Sequence, residues 1–333
     1  MTEVARLAGV SLSTVSRVVN SAGTVRTDLK ERVENAILQC GYKPDAIAQS
    51  LRRNTTRTIG LIVDDISVAG YPEYIRSLQT LLHEHSYTLL LGNTGADLAT
   101  EMEILSSFVQ RRADGLIVTS GARENSGFYQ AVAASGVPSV LVERDVPTSL
   151  DRVIIDHASG IREATRHLLS SGHRRIALIT GRPELTSART RTTGFFQAFR
   201  EFGLEPASGI TVNGAFSASF GFETMTSLLA AKDRPSAVIA GGNLMLPGVL
   251  RAIRQAGCSI PENISVVGVP DSSLAELFEP PIGVVRWSFN ELGELAASLL
   301  LSRMSDTNIP PRQLVVSTEF LPRGSCGAVN GRD

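Results

Sequence analysis

The stretch Val4–Asn20, VARLAGVSLSTVSRVVN, decides what the amino-terminal part of the chain can be. Val4, Leu7 and Ala8 fall on one face of a short helix. Gly9-Val10 makes a tight turn, and Ser11 can cap a second helix over Leu12–Asn20 by accepting a bond from a free backbone N–H. Val15, Val18 and Val19 form the buried stripe of that helix. Leu12, Ser13, Thr14, Ser16 and Arg17 are left facing outward or flanking it. In a third helix Leu29, Val33, Ala36, Ile37 and Cys40 share one face; Gly41 suits its C-cap and Pro44 stops it. Two short helices joined by a Gly-containing turn and braced by a third are a helix-turn-helix, whose second helix enters the major groove of DNA. Arg17 can donate to guanine, and Ser13 and Thr14 can bond bases or phosphates. The same spacing fits a small helical bundle with a polar exposed face, and spacing alone does not separate the two.

The chain has 333 residues and a net charge of −1, which taken alone argues against a nucleic-acid partner. The charge is unevenly spread. Residues 1–58 hold nine basic and five acidic side chains, leaving 23 basic and 28 acidic in the rest. A small basic module is attached to a larger acidic body, although solvated surface charge accounts for many such imbalances. With 43% hydrophobic and 20% charged residues, the composition is that of a globular protein and excludes collagen, a coiled-coil rod and a disordered chain. Cys40, Cys258 and Cys326 are too few and too scattered for a disulfide framework or a structural zinc site, which fits a reducing cytoplasm. MTEVARLAGV carries no long apolar run after a basic start, so no signal peptide is expected. The charge-free stretch between Arg234 and Arg251 is broken by Pro and Gly and falls short of a membrane span.

From Thr58 onward, short apolar runs alternate with segments of helical period. Strands are expected at Thr58–Val63, Tyr87–Leu91, Gly115–Thr119, Ser139–Val142 and Arg152–Ile155. A second series runs Arg175–Thr180, Gly209–Val212, Ala237–Ala240, Ile264–Val267 and Gly283–Arg286. Helices are expected between them, such as Pro72–Ser86, Ala158–Ser171 and Arg189–Phe202. Two such series imply an α/β body of two doubly wound parallel-sheet subdomains behind the all-α module. A ligand is then expected in the cleft at the carboxyl ends of the strands.

VARLAGVSLSTVSRVVN and the continuation ERVENAILQCGYKPDAIAQSLRRNTTRTIGLIV, Glu31–Val63, strongly resemble the LacI/GalR family of bacterial transcription regulators. The resemblance runs to about Arg323, through RADGLIV (Arg112–Val118), HLLSSGHRRIALITG (His167–Gly181) and ISVVGV (Ile264–Val269), which look like the family's periplasmic-binding-protein-like core. It implies a helix-turn-helix over 1–44, a hinge helix and linker over 45–57, an effector-binding and dimerisation domain over 58–323 and a loose tail over 324–333. Leu12 and Ser13 match the positions that set specificity, and Arg17 matches a base-contacting arginine. Thr14, Ser16 and Asn20 match phosphate-holding positions. Leu12 cannot hydrogen-bond a base edge but can meet a thymine methyl. Asp45–Arg53 matches the hinge helix, with Ala46, Ile47, Ala48 and Leu51 as its apolar stripe, of which Ala48 and Leu51 are expected at the DNA. Leu51 matches the leucine that wedges between central base pairs from the minor groove; alone it would read as ordinary helix packing. Arg52, Arg53 and Arg57 are then expected near phosphates. The family usually has Asn where this chain has Asp45, which brings a carboxylate near DNA or caps the hinge helix.

In the body, Arg191 of SARTRTTG matches the family's ligand-gripping arginine, and Phe216 of NGAFSASFG an aromatic that stacks on the ligand. Alone they would read as a helix-start arginine and a core phenylalanine. Tyr71 falls where the first-subdomain loop approaches the ligand. Many sugar-binding members have Asn-Asp where this chain has Gly242-Asn243, and an aspartate where it has Pro270 followed by Asp271. Asn243 and Asp271 remain candidate effector contacts. A cleft that keeps Arg191 and loses an aspartate is more cationic, so the expected effector is a sugar acid or phosphorylated sugar. The implied assembly is a homodimer on a near-palindromic operator in double-stranded DNA, with no cofactor, no metal and no membrane partner. An enzyme lacks support: no G-x-G-x-x-G follows a strand, and no Walker loop or G-x-S-x-G elbow is present. A secreted solute-binding protein shares the fold of the body but not the basic module.

Overall fold

The computed structural model describes residues 1–19, 25–42, 55–119, 127–146, 149–242 and 244–329. The chain divides into two compact units, Met1–Thr56 and Arg57–Asp333.

The first unit holds α1 (Thr2–Ala8), α2 (Leu12–Val19) and α3 (Thr27–Cys40) around Val4, Ala5, Ala8, Val15, Val33 and Ala36. Ser11 caps α2: its Oγ accepts from Thr14 N at 3.2 Å. Gly9 ends α1 at φ 60°, and Arg32 of α3 donates to the freed Ala8 carbonyl at 2.5 Å. A Cβ at Gly9 would lie 2.7 Å from that guanidinium, so both the turn and the clasp require glycine. Cys40, expected on the buried face of α3, is exposed; its Sγ turns back to the Ile37 carbonyl.

The second unit is built from two six-stranded sheets. Its elements run β1 (Thr58–Val63), α4 (Tyr71–Glu84), β2 (Thr88–Asn93), α5 (Leu98–Gln110), β3 (Gly115–Thr119), α6 (Phe128–Ala134), β4 (Ser139–Val142), β5 (Asp151–Ile155), α7 (His157–Ser170), β6 (Ile176–Gly181) and α8 (Thr186–Glu201). They continue β7 (Gly209–Gly214), α9 (Ala218–Ala230), β8 (Ala237–Ala240), α10 (Leu246–Gln255), β9 (Ser265–Gly268), α11 (Ser273–Leu277), β10 (Gly283–Arg286), α12 (Phe289–Ser305), β11 (Gln313–Val316) and β12 (Glu319–Leu321). The first sheet, in the order β11-β5-β4-β3-β1-β2, is wholly parallel. The second, β12-β10-β9-β8-β6-β7, is parallel except that β12 runs against β10. Helices cover both faces. Tyr74 and Leu78 of α4 and Leu292 and Leu300 of α12 pack on one side of the first sheet, and Leu105, Phe108 and Phe128 on the other. In the second lobe α7 and α8 face α9 and α10 across the sheet.

The chain crosses between the sheets three times: after β5, after β10 and between β11 and β12. Thr318 Oγ1 donates to the Asp156 carbonyl at 2.7 Å and ties two of these crossings together. The last crossing departs from the sequence reading, in which each sheet had five strands. QLVV and EFL are too short to carry a strand signal of their own, and each becomes a strand by adding to an existing edge.

The tail is a second departure. Rather than hanging loose, residues 324–329 are sewn to the second lobe. Ser325 is fully buried; its Oγ donates to the Val266 carbonyl at 2.6 Å and accepts from Gly283 N at 2.8 Å. Gly327 N donates to Ser265 Oγ at 3.0 Å, and Val329 N reaches the Ser171 carbonyl. His173 sits beneath, 2.8 Å from Ser236 Oγ and 3.0 Å from the Gly327 carbonyl. Among the described residues, no helix is long and apolar enough to cross a membrane.

Asp151 fastens the far end of the first lobe. Its fully buried carboxylate accepts from Arg303 Nε and Nη2 at 2.9 and 3.1 Å and from Arg312 N at 2.7 Å. Asp151→Ala strands a largely buried guanidinium, with an expected loss of about 3–5 kcal/mol in chemical denaturation. A loss within experimental error would mean that Arg303 relaxes into solvent.

Candidate functional site

The exposed side of α2 offers Leu12, Ser13 and Arg17, with Thr14 and Ser16 partly covered. Leu12 is 50% exposed, as Leu38 of α3 is 80%, so its side chain is open to a partner without the exposure itself marking a site. The Ser13 hydroxyl lies 2.8 Å from Ser11 Oγ and that of Thr14 2.9 Å, so the cap also sets the orientation of two groups expected at DNA. Asn20, Asp45, Ala48 and Leu51 lie outside the described residues. Arg57, expected near phosphates, is engaged by the second unit: its guanidinium lies 5.2 Å from the Tyr87 ring centroid and Nη1 donates to the His85 carbonyl.

A cavity of about 290 Å³ opens between the two lobes. In each sheet the strand order reverses beside the first strand, β1 or β6, and the cavity sits over the carboxyl ends of both. Tyr71, Arg191 and Phe216 all line it, as expected. Asn243 lies outside the described residues. Asp271 is a correction: Pro270 lines the cavity, while the Asp271 carboxylate receives both terminal nitrogens of Arg323 at 3.0 and 2.7 Å. That pair holds the chain near the tail, so the side chain expected at the ligand serves the fold.

Arg191 is 5% exposed. Nη1 donates to the Gly241 carbonyl at 2.7 Å, Nη2 lies 3.4 Å from His157 Nδ1, and Nε is buried with no acceptor. Burial lowers its pKa to about 10, against the pull of Glu143. Phe216 stands 5.7 Å from the guanidinium. Its ring fills the space that side chains at Gly181 and Gly242 would need, each Cβ falling 2.4 Å from it. Gly242 is therefore glycine because Phe216 is there, a coupling invisible in the order of residues.

Three further cavity-side residues escaped the sequence reading. His157 is 1% exposed; its Nε2 meets Glu143 Oε2 at 2.6 Å, and its ring stands edge-on to Trp287 with centroids 5.0 Å apart. Burial pushes the Glu143 carboxyl up, but His157, the Ile155 N–H and Arg191 outweigh it and hold it below 4.5. Burial holds His157 below 6.5 in spite of Glu143. The pair is thus an anion and a neutral ring. The partners place the proton on Nε2, and a donor chain runs Arg191→His157→Glu143 from the second lobe to the first. Trp287 Nε1 is buried without a partner. The signal for Glu143 was its place, charged directly after the apolar run SVLV at the carboxyl end of a strand. Nothing in the sequence marked His157 or Trp287, whose roles come from the crossings they occupy.

The cavity is not as cationic as expected. Asp64, Asp65 and Glu143 face Arg144, Arg182 and Arg191. Both Glu143 oxygens are engaged internally, and Asp64 Oδ1 accepts from Asp65 N and the Tyr71 hydroxyl. Among the described residues, no group of three His, Cys, Asp or Glu is placed to hold a metal ion.

Known proteins share this arrangement from end to end. Residues 1–45 match the bacterial regulatory proteins of the lacI family, and residues 165–326 a periplasmic binding protein-like domain. The ribose operon repressor of Escherichia coli strain K12 is 35% identical over 327 residues, 98% of this chain and 99% of the relative. The chain belongs to the lacI family of bacterial regulatory proteins. A crystal structure of the lac repressor dimer bound to operator and the anti-inducer ONPF superposes with a TM-score of 0.86 at 26% identity, covering 98% of each chain. A complex of the transcriptional regulator CelR with cellobiose superposes with a TM-score of 0.76 at 30% identity, covering 97% of this chain and 98% of the other. As a lacI-family member the protein is a DNA-binding transcription regulator and not an enzyme.

Two outcomes follow from the cavity and its buried rings. Gly242→Ala displaces the Phe216 ring and lowers effector affinity, read by calorimetry, while α2 and DNA binding without effector are unchanged. His157, His167 and His173 are each held below 6.5, with burial the largest cause. The unfolded chain takes up protons near pH 6.5 that the folded rings refuse, so stability is present above 6.5 and is lost as pH falls below it. Thermal melts from about pH 8 to about pH 5 should show that decline, and His157→Gln should flatten it.

Proposed function

We propose that the protein is a homodimeric repressor of a catabolic operon, released or recruited by a small acidic carbohydrate bound between its lobes. Two recognition helices face a near-palindromic operator, with Leu12, Ser13 and Arg17 at base edges and Thr14, Ser16 and Asn20 at phosphates. Leu51 of each protomer, beside Ala48, wedges the central base step from the minor groove. The exposure of Leu12 and Arg17 beside the Ser11 cap supports this assignment. The effector acts through its different affinities for two lobe arrangements, which change the spacing of the hinge segments. The Arg191–His157–Glu143 chain, which spans the lobes beside the cavity, is where that difference is felt.

The acidic character of the effector rests on unspent hydrogen-bonding capacity. Arg191 Nε has no acceptor, while both oxygens of Glu143 are already taken. A sugar acid or phosphorylated sugar would set its acid group toward the arginines of the lining and its hydroxyls toward Asp64 and Asp65. Tight binding of a neutral hexose with no response to any acid, in a calorimetric screen, would sink this reading.

On DNA, Arg17→Ala should cost roughly 1–3 kcal/mol at the operator and relax base preference nearby. Leu51→Ala should abolish preference for the operator over random DNA while dimerisation and effector binding persist. Gel shifts and ultracentrifugation read both. Unchanged operator affinity in Arg17→Ala would remove that arginine from the groove.

A further inference from the structure

We propose that the effector is an amino sugar that also carries an acid group, as a carboxylate or a phosphate, and that Asp64 and Asp65 receive its ammonium. This rests on the acidic-effector reading above and names the charge at the other end of the same ligand.

The charges that line the cavity are sorted by lobe. The second lobe supplies Arg182 and Arg191 and no carboxylate, leaving two positive charges. The first supplies Asp64, Asp65 and Glu143 against Arg144, three negative charges less one positive, leaving two negative. The lining is therefore balanced as a whole and polarised across the cleft. A ligand that is only an anion satisfies the second lobe and turns the rest of its surface to carboxylates with no charge to meet them. A dipolar ligand, with its acid toward the second lobe and an ammonium toward the first, meets both.

Asp64 and Asp65 follow the carboxyl end of β1 side by side, both half-buried. Each has one oxygen spent and one open. Asp64 Oδ1 accepts from Asp65 N at 3.0 Å and from the Tyr71 hydroxyl at 3.2 Å, and Asp65 Oδ1 accepts from Ser67 N at 2.8 Å. Among the described residues, no side-chain cation lies within ion-pair distance of either carboxylate. Glu143 has both oxygens engaged, and Arg144 is turned to the Tyr129 hydroxyl and the Glu143 carbonyl. Where a carboxylate of the body serves the fold, as Asp151 and Asp271 do, it has a guanidinium of its own. The bonds at Oδ1 hold the two Oδ2 atoms in place, so an ammonium with three donors meets acceptors that are already ordered. Across the cavity Arg191, 5% exposed, has its Nε without an acceptor. At about 290 Å³ the cavity is at the small end of ligand sites and has room for one sugar ring. The two lobes are then held through opposite ends of one molecule, which gives it different affinities for different lobe arrangements.

The test is calorimetry on the full-length protein near about pH 7, where an aliphatic amine is charged. The probes are glucosamine 6-phosphate, galactosamine 6-phosphate and 2-amino-2-deoxygluconate, each against its hydroxyl counterpart. N-acetylglucosamine 6-phosphate keeps the nitrogen and loses its charge. An amino member is expected to bind at least about tenfold more tightly than its hydroxyl counterpart, the worth of one charged hydrogen bond, and N-acetylation should remove the gain. Asp64→Asn and Asp65→Asn keep the shape and the bonds at Oδ1, and each should cut the ratio of amino to hydroxyl affinity at least about threefold. Arg191→Gln should weaken both members of a pair by a similar factor, and thermal melts check that each variant is folded. If every amino member binds no better than its hydroxyl counterpart, if the N-acetylated sugar binds as tightly as the free amine, or if the two Asn variants leave the ratio unchanged, the ammonium assignment fails while the acidic reading stands. If glucose or glucosamine binds more tightly than every acid and phosphate, or none of these binds, the acidic reading falls and this proposal with it.

Discussion

Three passages of the chain between two sheets govern the larger unit. Parallel strands cannot be joined by tight turns, so each lobe must use crossover helices, and every strand of the winding points its carboxyl end the same way. The residues that leave those ends are gathered at one face of each sheet. The crossings at Asp156, Trp287 and Thr318 set the two faces against each other. The cavity, its opposed charges and the docking of α12 back onto the first lobe all follow from that connection.

Charge in the cavity is distributed by the same connection. Glu143 comes from the first lobe, His157 from a crossing and Arg191 from the second lobe, yet they form one chain of donors and acceptors. In a site of low dielectric such a chain fixes both protonation and orientation, and any change in lobe angle must lengthen or shorten it. Two of the buried donors without a partner, Arg191 Nε and Trp287 Nε1, lie beside it. A buried polar chain and two unmet donors therefore meet beside the cavity, where ligand and lobe movement can exchange free energy.

Much of the architecture was legible in the residues. β1, β3, β4, β8 and β10 begin and end where their apolar runs do, because buried parallel strands read as unbroken hydrophobic stretches. The helix-turn-helix was legible from Gly9, the Ser11 cap and the valine stripe. The last two strands were not, since QLVV and EFL acquire strand character only beside β5 and β10. α6 and α11 were missed for a similar reason, being five to seven residues long and stabilised by packing. The tail was misread because its anchors are Ser265, Val266 and His173, distant in sequence.

The site divides along the same line. Arg191 and Phe216 were named only by the resemblance to the family, while the spacing of one helix put Leu12, Ser13 and Arg17 on its outer side and the resemblance gave them their roles. The sequence by itself determined the two-part plan and the separation of a basic module from an acidic body. It did so because period, caps and local charge act between near neighbours. Only the tertiary structure decided that Asp271 belongs to Arg323, that Gly242 yields its space to Phe216, and that Glu143 and Arg144 stand at the cavity with His157 bonded to Glu143. Those assignments depend on distances between residues far apart in the chain, which are set when the crossings fold the two sheets face to face.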